Sequence, residues 1–132
     1  MVQEDIRRHP RHELEFVVEY SVLSGSGMLK LIKSRTLDFS ISGARIETEE
    51  ELKAKDKLTA RIELPDLNAF EVDQDGKKTY KNTVVTCFGM VRWVRQADSG
   101  QFNAGIRFSG ISVRDHEYIT KLLDEIEKSS GH

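Results

Sequence analysis

Apolar and polar residues alternate in short runs along most of this chain. Leu14 to Leu23 is rich in Val, Phe and Tyr and alternates in part, which predicts a strand. Ser24-Gly25-Ser26-Gly27 reads as a turn. Met28 to Leu37 reads as a second strand, Asp38-Phe39-Ser40-Ile41-Ser42-Gly43 as a loop, and Ala44 to Thr48 as a short strand. A solvated charged stretch, Glu49 to Asp56, comes next. Lys57 to Leu64 then puts Leu58, Ala60, Ile62 and Leu64 on one face, the period of a half-buried strand. Pro65 to Asn82 is polar, and its Asp75-Gly76 pair predicts a small extra hairpin. Thr83 to Val94 is the longest β-like run, and Phe102 to Phe108 the last strand.

The period changes at the end of the chain. Ser112, followed three residues later by Asp115, resembles a capping box. Ile119, Leu122, Leu123 and Ile126 then fall on one helical face, with Lys121 and Lys128 toward the C-terminal end and Gly131 beyond. One helix, about 113–128, is expected to pack on, or across the mouth of, an antiparallel barrel or sandwich. Residues 1–12 are polar and contain Pro10, and read as a flexible, extended arm. Residues 13–132 read as the folded domain.

Composition narrows the class. The 132 residues fit one domain on a scale of roughly 100–200 residues each. Charged residues make up 32% and hydrophobic ones 38%. No stretch reaches the ~18 apolar residues of a membrane helix, so no membrane insertion is expected. The charged start of the chain is unlike a signal peptide. Cys87 alone makes neither an internal disulfide nor a zinc site, and reads as a small buried hydrophobe. These features fit a cytoplasmic protein. The net charge of −2 and pI near 6.1 disfavour general nucleic-acid binding.

Two clusters carry candidate chemistry. Arg7-Arg8-His9-Pro10-Arg11 holds three guanidiniums in five residues, and Asp38, Ser40 and Gly43 punctuate the loop after the second strand. In an antiparallel hairpin, paired residue numbers add to a constant. Arg11 and Asp38 add to 49, whose midpoint falls in the turn near Ser24 and Gly25. The arginines and the loop are therefore expected at one end of the barrel, give or take a bulge. Guanidiniums offer planar forks to phosphate and to the O6/N7 edge of guanine. A carboxylate such as Asp38 accepts from the N1–H and N2–H of guanine. Ser40 offers a hydroxyl, and Gly43 permits an unusual backbone or close approach to a flat base. Together they suit an anionic guanine nucleotide better than bare phosphate.

Arg7-x-x-x-Arg11, followed by Asp38-x-Ser40-x-x-Gly43, resembles the two-part signature of PilZ domains, which bind the bacterial second messenger cyclic di-GMP. Arg8 matches the richer form of the first motif, and the Gly105-Ile106-Arg107-Phe108 strand and terminal helix follow in the family's order. The resemblance implies a six-stranded antiparallel β-barrel with a helix at one end. It implies that Arg7, Arg8 and Arg11 contact phosphates and guanine edges while Asp38, Ser40 and Gly43 hold a guanine from the other side. It also implies a switch, in which an ordered arm alters the surface met by a partner effector protein.

Plainer readings stand beside this one. The arginines alone are a solvated arm, and Asp38, Ser40 and Gly43 alone an ordinary turn. Trp93 is a core or wall residue that could line the site if near the mouth, and Arg92, Arg95 and Arg107 are exposed strand charges. His9, His12, His116 and His132 lack companions for a metal site. Neither Ser40 nor Cys87 has the local base of a nucleophile, so no enzyme and no cofactor are expected. The alternative function is a PilZ-like protein-interaction module that does not bind nucleotide. A single-stranded nucleic-acid barrel ranks behind both.

Overall fold

The computed structural model describes residues 14–23 and 30–129. The strands are β1 (Val17–Val22), β2 (Ile32–Phe39), β3 (Gly43–Thr48), β4 (Lys57–Val72), β5 (Lys78–Gln96) and β6 (Phe102–Ile111), followed by helix α1 (Val113–Ser129). All six pair antiparallel in the order β1-β2-β3-β6-β5-β4, and β1 returns to β4 to close the ring. This is the mainly β barrel with a terminal helix that the sequence predicts. The predicted arm, residues 1–12 with Arg7, Arg8 and Arg11, lies outside the described residues.

Period-two patterning builds the interior. Val18 and Tyr20 of β1, Leu58, Ala60, Ile62 and Leu64 of β4, and Val85, Cys87 and Val91 of β5 all face inward and are buried. Each Val, Leu or Ile side chain so removed from water contributes roughly 1.5–3 kcal/mol. Helix α1 adds Ile119, Leu122 and Leu123 to the same core. Ser112 Oγ accepts from the Asp115 N–H at 3.1 Å, as the capping motif predicts. The Asp115 carboxylate does not complete the box but accepts from the Thr86 N–H of β5 at 3.3 Å, tying the helix start to the barrel.

Three details differ from the sequence reading. Pairs of β1 and β2 add to 52, as in Val17 with Arg35, rather than 49, so the hairpin is centred later than the Ser24-Gly25 midpoint. Asp38, Phe39 and Gly43 belong to strands, leaving Ser40 to Ser42 as the connection. The polar segment 65–82 is no separate hairpin. It is the outer half of the β4–β5 hairpin, whose strands run past the barrel to Val72 and from Lys78. At its tip Asp73 O accepts from the Gly76 N–H at 3.0 Å, and Asp73 Oδ1 accepts from the N–H groups of Asp75 and Lys77. Gly76 takes the left-handed φ of 81° that this turn demands. Where this outer hairpin leaves the barrel, β4 bulges between Pro65 and Phe70. Tyr118 of α1 clasps that bulge, its hydroxyl donating to Pro65 O and accepting from the Leu67 N–H.

Candidate functional site

Phe39 is the anchor from which the site is built. It is fully buried, with ring centroids 5.4 Å from Phe16 and 5.8 Å from Phe108. Its neighbours must point elsewhere. Thr36 faces inward, and strict alternation would send Asp38 inward as well. A β-bulge between Thr36 and Asp38 reverses the parity, so Asp38 pairs with Arg45 and joins the outer face. There Asp38 Oδ1 accepts from the Arg45 N–H at 3.0 Å. Arg45 Nε lies 3.4 Å from Oδ2, an ion pair whose Nε–H is not aligned for a hydrogen bond.

The connection from β2 to β3 is self-contained. The Ser40 N–H donates to Gly43 O at 2.8 Å, and Ser40 Oγ lies 3.2 Å from both Gly43 O and Ser42 Oγ. Ser40 is fully buried, so its hydroxyl shapes the turn rather than standing at the surface. Gly43 has no left-handed φ. Its missing side chain serves close approach: a Cβ there would lie 2.2 Å from Ile106 O of β6. Of the two uses read for this glycine, an unusual backbone and close approach, the turn does not need the first, and the close approach it makes here is to β6.

A second bulge acts as the first does. Val91 faces the core opposite Ile106, and the register shifts between Val91 and Trp93, so Trp93 pairs with Gly105 and stands on the outer face. A Cβ on Gly105 would collide with the indole, 2.2 Å from Nε1. The Arg95 guanidinium sits 5.3 Å from the Trp93 ring centroid, within cation–π range. Cross-strand pairing therefore sets Asp38, Arg45, Gly105 and Trp93 in one row across four strands, with Gly43, Arg107 and Met90 in the row beside it. This wall offers a carboxylate, guanidiniums and an aromatic ring, the groups that hold a planar base carrying phosphates.

The N-terminal segment enters beside this wall. Thr36 Oγ1 donates to Leu14 O at 2.6 Å and accepts from the Phe16 N–H at 2.8 Å, while the Thr36 N–H donates to Phe16 O at 2.9 Å. Glu15 pairs with Arg35, which also reaches Glu47. The described chain thus begins two residues of β2 away from Asp38. Of the six residues singled out in the sequence, the structure brings Asp38, Ser40 and Gly43 together; the three arginines lie outside the described residues. Sequence reasoning passed over Arg45, although its place two residues after Gly43 in a strand sets both on one face. Among the described residues no group of three or more His, Cys, Asp or Glu side chains could hold a metal ion.

An antiparallel ring closed by β1 on β4, with a terminal helix, defines a small β-barrel protein. More narrowly, the PilZ domain family model matches residues 5–125, and the chain belongs to that family. Solved structures agree in fold. The *Bacillus subtilis* inhibitor of motility MotI (DgrA) superposes at a TM-score of 0.73 and 13% identity, covering 99% of this chain. This chain spans 55% of the length of MotI. The PilZ domain of YcgR from *Escherichia coli*, solved with c-di-GMP, matches at 0.57 and 16% identity over 97% of this chain and all of that domain. The *K. pneumonia* MrkH–c-di-GMP complex matches at 0.59 and 18% identity, over 98% of this chain and 55% of that one. No curated protein matches the sequence.

Proposed function

We propose that this chain is a cyclic di-GMP receptor that signals to a partner protein and carries out no bond-making chemistry. In this reading Arg7, Arg8 and Arg11 clamp phosphates and guanine edges. Asp38 accepts from the N1–H and N2–H of a guanine, and Ser40 and Gly43 fix the turn that presents it. The segment 1–12 is the arm, and its ordering on the ligand is the signal. The observation that supports the reading is the anchorage of Leu14 on Thr36, which sets the start of the described chain two residues of β2 away from Asp38. Family membership and neighbours solved with c-di-GMP support the choice of ligand.

Calorimetric titration with cyclic di-GMP, with GTP as control, tests it. Selective binding is expected. If each bidentate contact contributes roughly 1–3 kcal/mol, Arg7→Ala or Arg11→Ala weakens binding about 5- to 150-fold, and the double variant abolishes it at micromolar ligand. Arg→Lys also weakens it, because Lys lacks the planar fork. No heat and no shift in melting temperature would sink the receptor reading and leave a protein-interaction module.

A further inference from the structure

Arginine and glycine alternate on the outer wall of β3 and β6. Gly43 pairs with Arg107, and Arg45 with Gly105, so the four positions form a square with guanidinium-bearing residues on one diagonal and glycines on the other. Diagonal neighbours on an antiparallel pair lie ~7–8 Å apart, within reach of long side chains. Neither glycine places a side chain between the arginines. Among the described residues these charges are not balanced. Asp38 alone pairs with Arg45, whose side chain remains 39% exposed. Arg107 is exposed, and no carboxylate among the described residues forms an ion pair with it. Two guanidiniums on one patch, open over Gly43 and covered by the Trp93 indole over Gly105, have one counter-charge between them and create a local positive potential on a chain of net charge −2.

We propose that Arg45 and Arg107 form a phosphate-binding subsite on the barrel wall, distinct from the arginine segment at 7–11. This rests on the cyclic di-GMP reading and assigns wall contacts to the phosphodiester part of that ligand. Asp38 then has a second role as the positioning residue for Arg45, since it holds the backbone N–H and the guanidinium of that residue at once. The subsite accepts phosphodiesters and not neutral nucleosides, because guanidiniums set with little counter-charge gain from an anion and not from a base alone.

Arg45→Gln, Arg107→Gln and the double variant are compared with wild type by titration with cyclic di-GMP over a series of salt concentrations. Each single variant is expected to bind about 5-fold or more weakly, with a shallower salt dependence. Arg107 is exposed and Arg45 half-buried beside Asp38, so the melting temperature and circular dichroism check that each variant keeps the fold, and Arg107→Gln carries the test should Arg45→Gln lose it. Arg45→Lys should restore the salt dependence but not the full affinity, since charge returns without the fork. Wild-type binding with unchanged affinity and salt slope in both Gln variants would overturn the subsite and leave the receptor reading standing. Absence of wild-type binding would overturn both.

Discussion

Gly43 and Gly105 share a chemistry but not a reason. The first lets β3 close on a backbone carbonyl of β6, and the second lies under an indole. Backbone cannot step aside as a side chain can. Gly43→Ala should therefore destabilise the fold by about 1–3 kcal/mol, read from chemical denaturation. Gly105→Ala should instead push Trp93 off the wall, which the emission maximum of this lone tryptophan reports. Burial pushes the Cys87 thiol from its ordinary 9.0 up to about 12, and Tyr20 from 10.0 to about 12, with Asp115 and the Glu50–Glu49 pair adding to each. Both native pKa values are raised, so their contribution to stability is complete below pH 9 and is lost as pH rises toward 12. Denaturation midpoints should fall across that window, with a slope approaching about 1.4 kcal/mol per pH unit for each group. Cys87→Ala should flatten its first part. A midpoint constant to pH 11 would contradict the burial of both groups.

At the scale of elements, the clasp between α1 and the β4 bulge holds the outer hairpin at its base. Tyr118→Phe removes a hydroxyl that serves two backbone groups, Pro65 O and Leu67 N. A loss of about 1–2 kcal/mol is expected, with faster proteolysis between Pro65 and Asn82 than at any barrel strand. Equal cleavage in both proteins would show that the clasp is dispensable. Much of this level was legible in the sequence. Alternation gave β4 its inward Leu58, Ala60, Ile62 and Leu64, and the Ser112 cap placed the helix start. The bulges were not legible. Residues beside Leu37 and Arg92 carry no local mark of the slip, because a bulge is set by the register of the partner strand. Yet each slip turns one side chain, Asp38 or Trp93, from the core face to the outer face, where Asp38 stays buried beside Arg45 and Trp93 is half-buried. The extension of β4 and β5 through 65–82 was hidden for another reason: two strands that pair only with each other in solvent need no apolar face, and polarity there reads as loop. The candidate motif was legible as residues, but not the contacts that Ser40 and Gly43 make within the protein, which depend on the turn and on the approach of β6.

At the scale of the molecule, the ring is completed by strands far apart in sequence, as where Val18 of β1 pairs with Ile62 of β4. Such closure raises contact order, and folding in milliseconds to seconds is expected rather than the microseconds of helical bundles. Stopped-flow refolding followed by Trp93 fluorescence measures it. Among the described residues no helix is long and apolar enough to cross a membrane. The exposed apolar residues that do occur lie largely along the outer hairpin and β5, where Phe70, Val72, Tyr80, Val84 and Phe88 are each at least 39% exposed.

The double anchorage of β1 has a mechanical meaning. The strand is bonded along one side to β2 and along the other to β4, and the chain just before it is pinned to Thr36. A pull along the N-terminal segment loads both ladders in shear, so their bonds share the force instead of parting one at a time. The barrel is thus a stiff mount. Force applied at Leu14 meets the bonds of both ladders together, so β1 resists sliding along its neighbours more than it would resist peeling from one of them.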